Sequence, residues 1–380
     1  METKTYQFFI SCVPGFEDIL AYEIKHYLND DSILLTKIKG GIEVTLPIEI
    51  GFALNQHIKS ASRVLIRIEQ FKCKDIPKLY QKVSKIPWAK WLLGANPNIK
   101  SESHQSRLFD DRKINQAVLD GIELFFNSNP RKKKYIELYE AHSPSPTIYV
   151  RFEADVCTIS LDTTGELLHL RGGKELPGLA PIRENMAYAL LAFLLSKTSG
   201  EKFRLIDPMC GSGTFLLEAV RFISPNDGRE FSYQLTPLFL ELKNKIEFKS
   251  EKTFNPFVEI IGCDINPEIV NVAKKNLEGQ NIKINLQSVF ENQPHPADNP
   301  TLVIVNPPYG KRVKSETDPI NLNFFKNIIS ACYKNYQFKL MGIIIPSDYQ
   351  FKSFDQFKIV DQLKFRNGGI PVVFYIVEVK

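Results

Sequence analysis

Apolar residues along this chain keep two different rhythms. In the first part they mark short strands and amphipathic helices in turn: YQFFISC reads as a strand, Pro14-Gly15 as a turn, and Phe16, Ile19, Leu20, Ile24 and Leu28 as one face of a helix. GGIEVTLP then reads as a strand, residues 50–64 (IGFALNQHIKSASRV) as a second helix, and VLIRIEQFKC as a third strand. Strand, helix, strand, helix, strand in so short a stretch predicts a small α+β sandwich of ferredoxin-like type. From Lys72 to Asp162, helical patterns in DIPKLYQKVSKIPWAKWLL and RKINQAVLDGIELFF alternate with the strand-like runs KKKYIELYEA and TIYVRFEADVCTISLDT. Residues 161–181, LDTTGELLHLRGGKELPGLAP, are punctuated by Gly and Pro and read as a connector into a helix that Pro181 opens at its first turn.

Beyond that connector the strands become continuous apolar runs: FRLIDP, VEIIGCDI, IKINLQSV, TLVIVNP, KLMGIIIPS and a final IPVVFYIVEV. The helices GTFLLEAVRFI, PEIVNVAKKNLEG and NLNFFKNIISACYKN fall between them. Strands apolar on both faces are expected where helices cover both sides, which predicts a doubly wound, mostly parallel sheet. Residues 224–256 interrupt this alternation as an insertion.

Composition narrows the class without choosing a function. A chain of 380 residues exceeds one ordinary core, and 43% hydrophobic with 24% charged residues is globular. No apolar run approaches the roughly 18 residues a span needs, and METKTYQFFISC lacks a basic leader with a long apolar stretch, so a cytoplasmic location is expected. The six cysteines show no C-x-x-C and no paired His spacing, which argues against a metal site or a disulfide framework and for small core residues. A net charge of +5 permits a polyanionic partner without requiring one. The run PRKKKY, containing Arg131, Lys132, Lys133 and Lys134, reads as either a solvated turn or a phosphate contact.

In doubly wound sheets ligands bind beyond the carboxyl ends of the strands, so three strand ends carry the chemistry. The first is LIDPMCGSGTF, where Asp207 closes the strand and Gly211 and Gly213 let the backbone turn tightly against a ligand at the next helix N-terminus. Leu216 stands where a dinucleotide fingerprint wants its third glycine, and no acid follows at the usual distance, so the nicotinamide oxidoreductase reading is weak. A carboxylate there suits a ligand carrying an ammonium or sulfonium charge. The second end is IIGCDINPEIV: Asp264 suits vicinal ribose hydroxyls, while Asn266 serves as N-cap and Pro267 opens the helix. The third is Asn306-Pro307-Pro308-Tyr309, whose prolines stop the ladder and leave the Asn306 side-chain oxygen and the Pro307 carbonyl to accept from one planar NH2 group. The Tyr309 ring offers a face for a base to stack on.

DPMCGSGTFLLEA, GCDINPEIVNVAKKNL and VNPPYGKR, in this order and spacing, resemble the S-adenosylmethionine-dependent amino-methyltransferases. SLDTTGELLHLRGGKELPGLAPIRENMAYALL resembles the lead-in of the THUMP-containing RNA guanine-N2 methyltransferases, and PGFEDILAYEI, GGIEV and KSASRVL resemble that family's N-terminal module. The resemblance implies three domains: ferredoxin-like over 1–65, THUMP over 66–162, and a Rossmann-like methyltransferase over 163–380. It implies S-adenosylmethionine as cofactor, with Pro208, Gly211, Ser212 and Gly213 along its methionine part, Asp264 at its ribose and Ile265 among its further contacts. Ser288 and Val289 fall at its adenine, where family members often carry an aspartate, and RGGK replaces the frequent RGYR at residues 171–174. Asn306 to Tyr309 would hold the target base, with water or Asp207 taking the proton late, and Arg112, Lys113 and the PRKKKY run would hold structured RNA. Large-subunit ribosomal RNA is the favoured substrate. Transfer RNA, adenine-N6 methylation of nucleic acid, glutamine methylation and a non-catalytic assembly role remain open alternatives.

Overall fold

The computed structural model describes residues 4–130, 133, 135, 137, 146–172, 182–200, 202–226, 228–242, 254–309 and 321–380. Two compact units emerge: Met1–Ser11, Ile24–Leu168 and Asn226–Ser250 form one, and Cys12–Glu23, His169–Pro225 and Glu251–Lys380 the other.

The first unit is built on a seven-stranded sheet of order β2-β3-β1-β4-β7-β6-β5. Its strands are β1 (Thr5–Ser11), β2 (Thr36–Ile38), β3 (Gly41–Pro47), β4 (Arg63–Lys72), β5 (Ile99–His104), β6 (Ile148–Glu153) and β7 (Val156–Asp162). Strand β4 pairs with β1 through Phe8↔Ile66 and with β7 through Leu65↔Asp162, so the ferredoxin-like and THUMP-like portions share one sheet. The expected boundary between residues 65 and 66 falls inside β4.

Helices α1 (Glu17–Leu28), α2 (Ile48–His57), α3 (Ile76–Val83) and α4 (Asp111–Ser128) follow the apolar spacing. Asp75 caps α3 by accepting from the Lys78 N–H at 2.8 Å, and Asp110 caps α4 by accepting from Arg112 N–H at 3.1 Å. Three expectations fail here. The helical pattern of DIPKLYQKVSKIPWAKWLL holds an α-helix only over Ile76–Val83, since Pro87 interrupts it before the short 3-10 turn Trp88–Lys90. Helix α2 stops at His57 and not near residue 64, because Ile58 turns extended and the buried stretch through Ser60 leads into β4, with Ser62 N–H donating to Ser11 O at 2.7 Å. In the KKKYIELYEA run, expected as a strand, the described residues Lys133, Tyr135 and Glu137 are helical. Lys133 and Glu137 sit 4.0 Å apart as an i,i+4 pair, a spacing only a helix brings together. Residues Asn226–Ser250 of the insertion belong to this unit: Tyr233 stacks on Phe52 with ring centres 4.7 Å apart, and Asn226 N–H donates to Gln56 O at 2.7 Å. It also contains the short helix α7 (Pro237–Leu242).

The second unit carries the sheet β10-β9-β8-β11-β12-β14-β13. Strands β8 (Phe203–Asp207), β9 (Phe257–Asp264), β10 (Lys283–Leu286), β11 (Thr301–Val305) and β12 (Leu340–Pro346) are parallel, and β14 (Ile370–Val379) runs antiparallel to β12 and to β13 (Phe357–Asn367). Helices α5 (Glu184–Leu195), α6 (Thr214–Val220), α8 (Pro267–Asn276) and α9 (Leu322–Tyr336) accompany it. This is the doubly wound, mostly parallel sheet that the apolar runs predict. The expected start of α5 at Pro181 lies outside the described residues; the helix runs from Glu184, with Arg183 at its cap position.

Phe325, Ile328, Ile329 and Cys332 of α9 are fully buried against Val303, Val305, Ile343 and Ile345 of the sheet. Phe325→Ala is expected to cost about 3–5 kcal/mol through lost transfer energy and a residual cavity, read as a lowered denaturation midpoint. All six cysteines are free and buried, as expected of core residues, and burial pushes the Cys12 thiol up to about 12. Among the described residues no helix is long and apolar enough to cross a membrane, and no group of three or more His, Cys, Asp or Glu side chains is placed to hold a metal ion.

Candidate active site

Strand order reverses between β8 and β11, the two that leave the middle of the parallel sheet in opposite directions, and this is where such sheets open a crevice. Asp207 ends β8, and Asn306 follows β11 directly beside it, since Val303 pairs with Ile206. Asn306 therefore lies about 7 Å farther along the strand direction than the level of Asp207, by the rise per residue.

The turn after β8 is built by backbone bonds. Met209 N–H donates to Asp207 Oδ1 at 3.1 Å, Cys210 N–H to Cys263 O at 2.8 Å, and Gly213 N–H to Cys210 O at 2.9 Å. Pro208, Ser212 and Gly213 are buried, and the Asn276 amide donates to Ser212 O at 3.0 Å. Gly213 has φ +85°, the left-handed conformation that favours glycine, and a Cβ there would press on the Leu277 side chain at 2.8 Å. At Gly211 a Cβ would meet nothing within 4 Å: this backbone borders open space.

Asp264 joins the first two strand ends. Its Oδ2 accepts from Gly211 N–H and its Oδ1 from Asn266 N–H, both at 3.0 Å, which leaves each oxygen a further acceptor position. Asn266 caps α8 by accepting from Glu268 and Ile269 N–H, so the capping role is filled and Asp264 is left for the rim. Ile265 beside it is 69% exposed. Gln287 N–H donates to Asp264 O at 3.0 Å and extends the connected rim to the end of β10. There Ser288 is turned into a local loop, its Oγ accepting from Phe290 N–H at 3.3 Å, while the carbonyl of the buried Val289 accepts from Asn335.

Asp207 is 1% exposed. Burial pushes its carboxyl well above the usual carboxylate range; the Met209 N–H opposes this and the Asp264 charge adds to it. A carboxyl in this state gains most from a cation placed beside it. In the unfolded chain it ionises near pH 4, so above that pH Asp207 costs stability, and the cost vanishes where both states are protonated. Asp207→Asn, uncharged and similar in shape, is expected to be more stable than the parent at neutral pH. Denaturation midpoints of the two should converge as pH falls toward about 4; a gap that stays constant with pH would contradict the shift.

Sequence reasoning leaves the Asn306 side chain unpaired by its neighbours, and the structure corrects this. Asn306 Oδ1 accepts from the Tyr309 hydroxyl, and that hydroxyl accepts from Asn367 Nδ2 at 3.2 Å. The amide oxygen keeps a second acceptor position. Pro307 is buried, Pro308 exposed and Tyr309 half-buried. Asn367 is 4% exposed and was not foreseen; the Gly368-Gly369 dipeptide after it, a two-residue hairpin signal, is the feature of the sequence that points to its place.

The basic residues expected to hold RNA lie in the first unit. Arg112 and Lys113 are exposed at the start of α4, with Lys113 Nζ 3.8 Å from Asp110, and Lys133 is exposed beside Glu137. Arg131, Lys132 and Lys134 lie outside the described residues.

A sheet of this order, with its reversal point between Asp207 and Asn306, is the Rossmann-like methyltransferase fold. Residues 171–375 match the model of the RMKL-like methyltransferase domain, and the chain belongs to that family; residues 73–162 match the THUMP domain. A protein named ribosomal RNA large subunit methyltransferase K/L from Psychromonas ingrahamii is 27% identical over 83% of this chain and 43% of its own length. The chain thus spans under half the length of that curated relative. The fold is shared, over 99% of both chains, with SMU.472, assigned as a methyltransferase and crystallised with SAH (TM-score 0.75, 23% identity). TrmN from Thermus thermophilus shares it over 99% of this chain and 100% of its own (TM-score 0.67, 14% identity).

Proposed function

We propose that this chain transfers a methyl group from S-adenosylmethionine to the exocyclic N2 amine of a guanine in RNA, with large-subunit ribosomal RNA the favoured substrate. The observation that carries the reading is Asn306-Pro307-Pro308-Tyr309 standing at the reversal point beside Asp207. The family and the name of the curated relatives support it.

The residues present fit the cofactor. Open backbone at Gly211 can lie against its methionine part, the remaining acceptor positions of Asp264 suit the ribose diol, exposed Ile265 suits the adenine face, and the buried Asp207 carboxyl suits a cationic ligand. Ser288 Oγ accepts from Phe290 N–H and the Val289 carbonyl from Asn335, so the adenine contact falls to the Ser288 hydroxyl hydrogen and the Val289 N–H. When bound, the cofactor supplies an electrophilic methyl on a sulfonium.

What the protein must do is make an aromatic amine nucleophilic. The amine lone pair is delocalised into the ring. Asn306 Oδ1, through its second acceptor position, and the Pro307 carbonyl accept the two N–H groups, turn the lone pair out of the ring plane and offset the positive charge that grows on nitrogen. No strong base is required, and water takes the proton late. The Tyr309 ring stacks on the extruded base.

We assign the RNA grip to the shared-sheet portion, with 1–65, 66–162 and 163–380 as functional divisions, Arg112, Lys113 and Arg131 to Lys134 as phosphate contacts, and the cytoplasm as the place of action. Because the insert Asn226–Ser250 belongs to the first unit, the test uses the full chain. Its affinity for structured RNA is expected to fall about tenfold or more between 50 and 200 mM salt, for a few phosphate contacts. Arg112→Ala with Lys113→Ala should weaken binding and flatten that slope, and a salt-independent affinity would count against the assignment.

A further inference from the structure

Resting on the reading of Asn306 as an acceptor for the target amine, we propose that Asn367 is a positioning residue that fixes which atom of the Asn306 amide faces Tyr309. Because β14 runs antiparallel to β12, its first residues lie at the carboxyl rim of the parallel strands: Val372 pairs with Pro346. The tight turn through Gly368 (φ +55°) and Gly369 (φ +84°) returns the chain there, so Asn367, paired with Ile370, ends β13 at the same rim. Arg366 closes the turn by donating to Gly369 O at 3.0 Å.

Polarity follows from the donor inventory. The Asn367 Nδ2 group can only donate, so at that contact the Tyr309 hydroxyl must be the acceptor. Its single hydrogen is then given to Asn306, and the only atom of that amide able to receive it is Oδ1. An amide turned by half a rotation would present Nδ2 to the Tyr309 hydroxyl and remove the acceptor from the position the target amine needs. Asn367 thereby sets the hydrogen-bond sense of the catalytic strand end through one intervening hydroxyl.

Asn367→Asp reverses the sense. A carboxylate only accepts, so the Tyr309 hydrogen turns to it and a hydroxyl lone pair faces Asn306 Oδ1. The turnover rate at saturating RNA and cofactor is expected to fall about 100-fold, with the cofactor Kd unchanged within about twofold. On a Tyr309→Phe background, where no hydroxyl relays the sense, the same substitution should change turnover by less than about threefold. Equal losses on both backgrounds would show that Asn367 merely supports the hairpin and overturn the proposal. No loss from Asn367→Asp while Asn306→Ala is inactive would overturn it too, leaving the amine-acceptor reading intact. Full activity of Asn306→Ala would remove the reading beneath it. Should Asn367→Asp fail to fold, Asn367→Ala carries the same cycle: about tenfold loss alone and none beside Tyr309→Phe is the supporting result, and additive losses overturn the proposal.

Discussion

Asn306→Ala is expected to lower methyl transfer about 100- to 1,000-fold while leaving the cofactor Kd within about threefold of the parent. The asymmetry follows from what the side chain does. Asn306 lies one strand over from the cofactor turn, its oxygen engaged by Tyr309 and otherwise available to the amine. The charge it offsets exists only as the amine attacks, so its loss falls on the rate and not on ground-state binding of the cofactor. Calorimetry for the cofactor and tritiated-methyl incorporation for turnover separate the two. Parallel loss of both would mean that Asn306 organises the cofactor site instead.

Asp264→Ala is expected to do the reverse: about a 100-fold weaker cofactor Kd, with turnover at saturating cofactor within about tenfold of the parent. Two effects add. The carboxylate offers the ribose its remaining acceptor positions, and it also ties Gly211 and Asn266 N–H, so its removal loosens the turn after β8 as well. Asp264→Asn keeps one acceptor oxygen but must turn its NH2 toward one of those N–H donors, and should fall between the two. Unchanged cofactor affinity in Asp264→Ala would remove the ribose role.

The sheet of the second unit was readable because its central strands are buried on both faces. Apart from the leading Thr301, TLVIV and LMGIIIP are apolar runs with nothing to confuse the period, and both are buried throughout. Three strands escaped notice: β2, β5 and β13. Each is an edge strand. Thr36–Ile38 is three residues long, Ile99–His104 reads IKSESH, and Phe357–Asn367 alternates with polar residues over most of its length, so none carries the continuous apolar signal. The Lys-rich run resembles a strand because aromatic and β-branched residues (Tyr135, Ile136, Tyr139) are concentrated in it, while the pair that reveals the helix lies four residues apart.

At the site, legibility followed chain locality. Asp207, Asp264 and Asn306 could be found because each terminates an apolar run, and strand order alone then brings Asp207 beside Asn306. The Asp264 tie to Gly211 and the Asn367–Tyr309–Asn306 chain join residues far apart in sequence. Nothing in the local pattern around Asn367, an amide before a Gly-Gly turn, distinguishes it from a plain hairpin end; only the antiparallel return of β14 places it at the rim. The burial of Asp207 was similarly hidden, since a carboxylate at a strand tip is ordinarily solvated.

The full chain, incubated with structured ribosomal RNA and methyl-labelled S-adenosylmethionine and followed by digestion and nucleoside chromatography, gives the decisive reading. Label should appear as N2-methylguanosine from the intact chain and disappear with Asn306→Ala. Label in N6-methyladenosine, in a ring nitrogen or in ribose would mean that the strand end after β11 holds something other than a guanine amine.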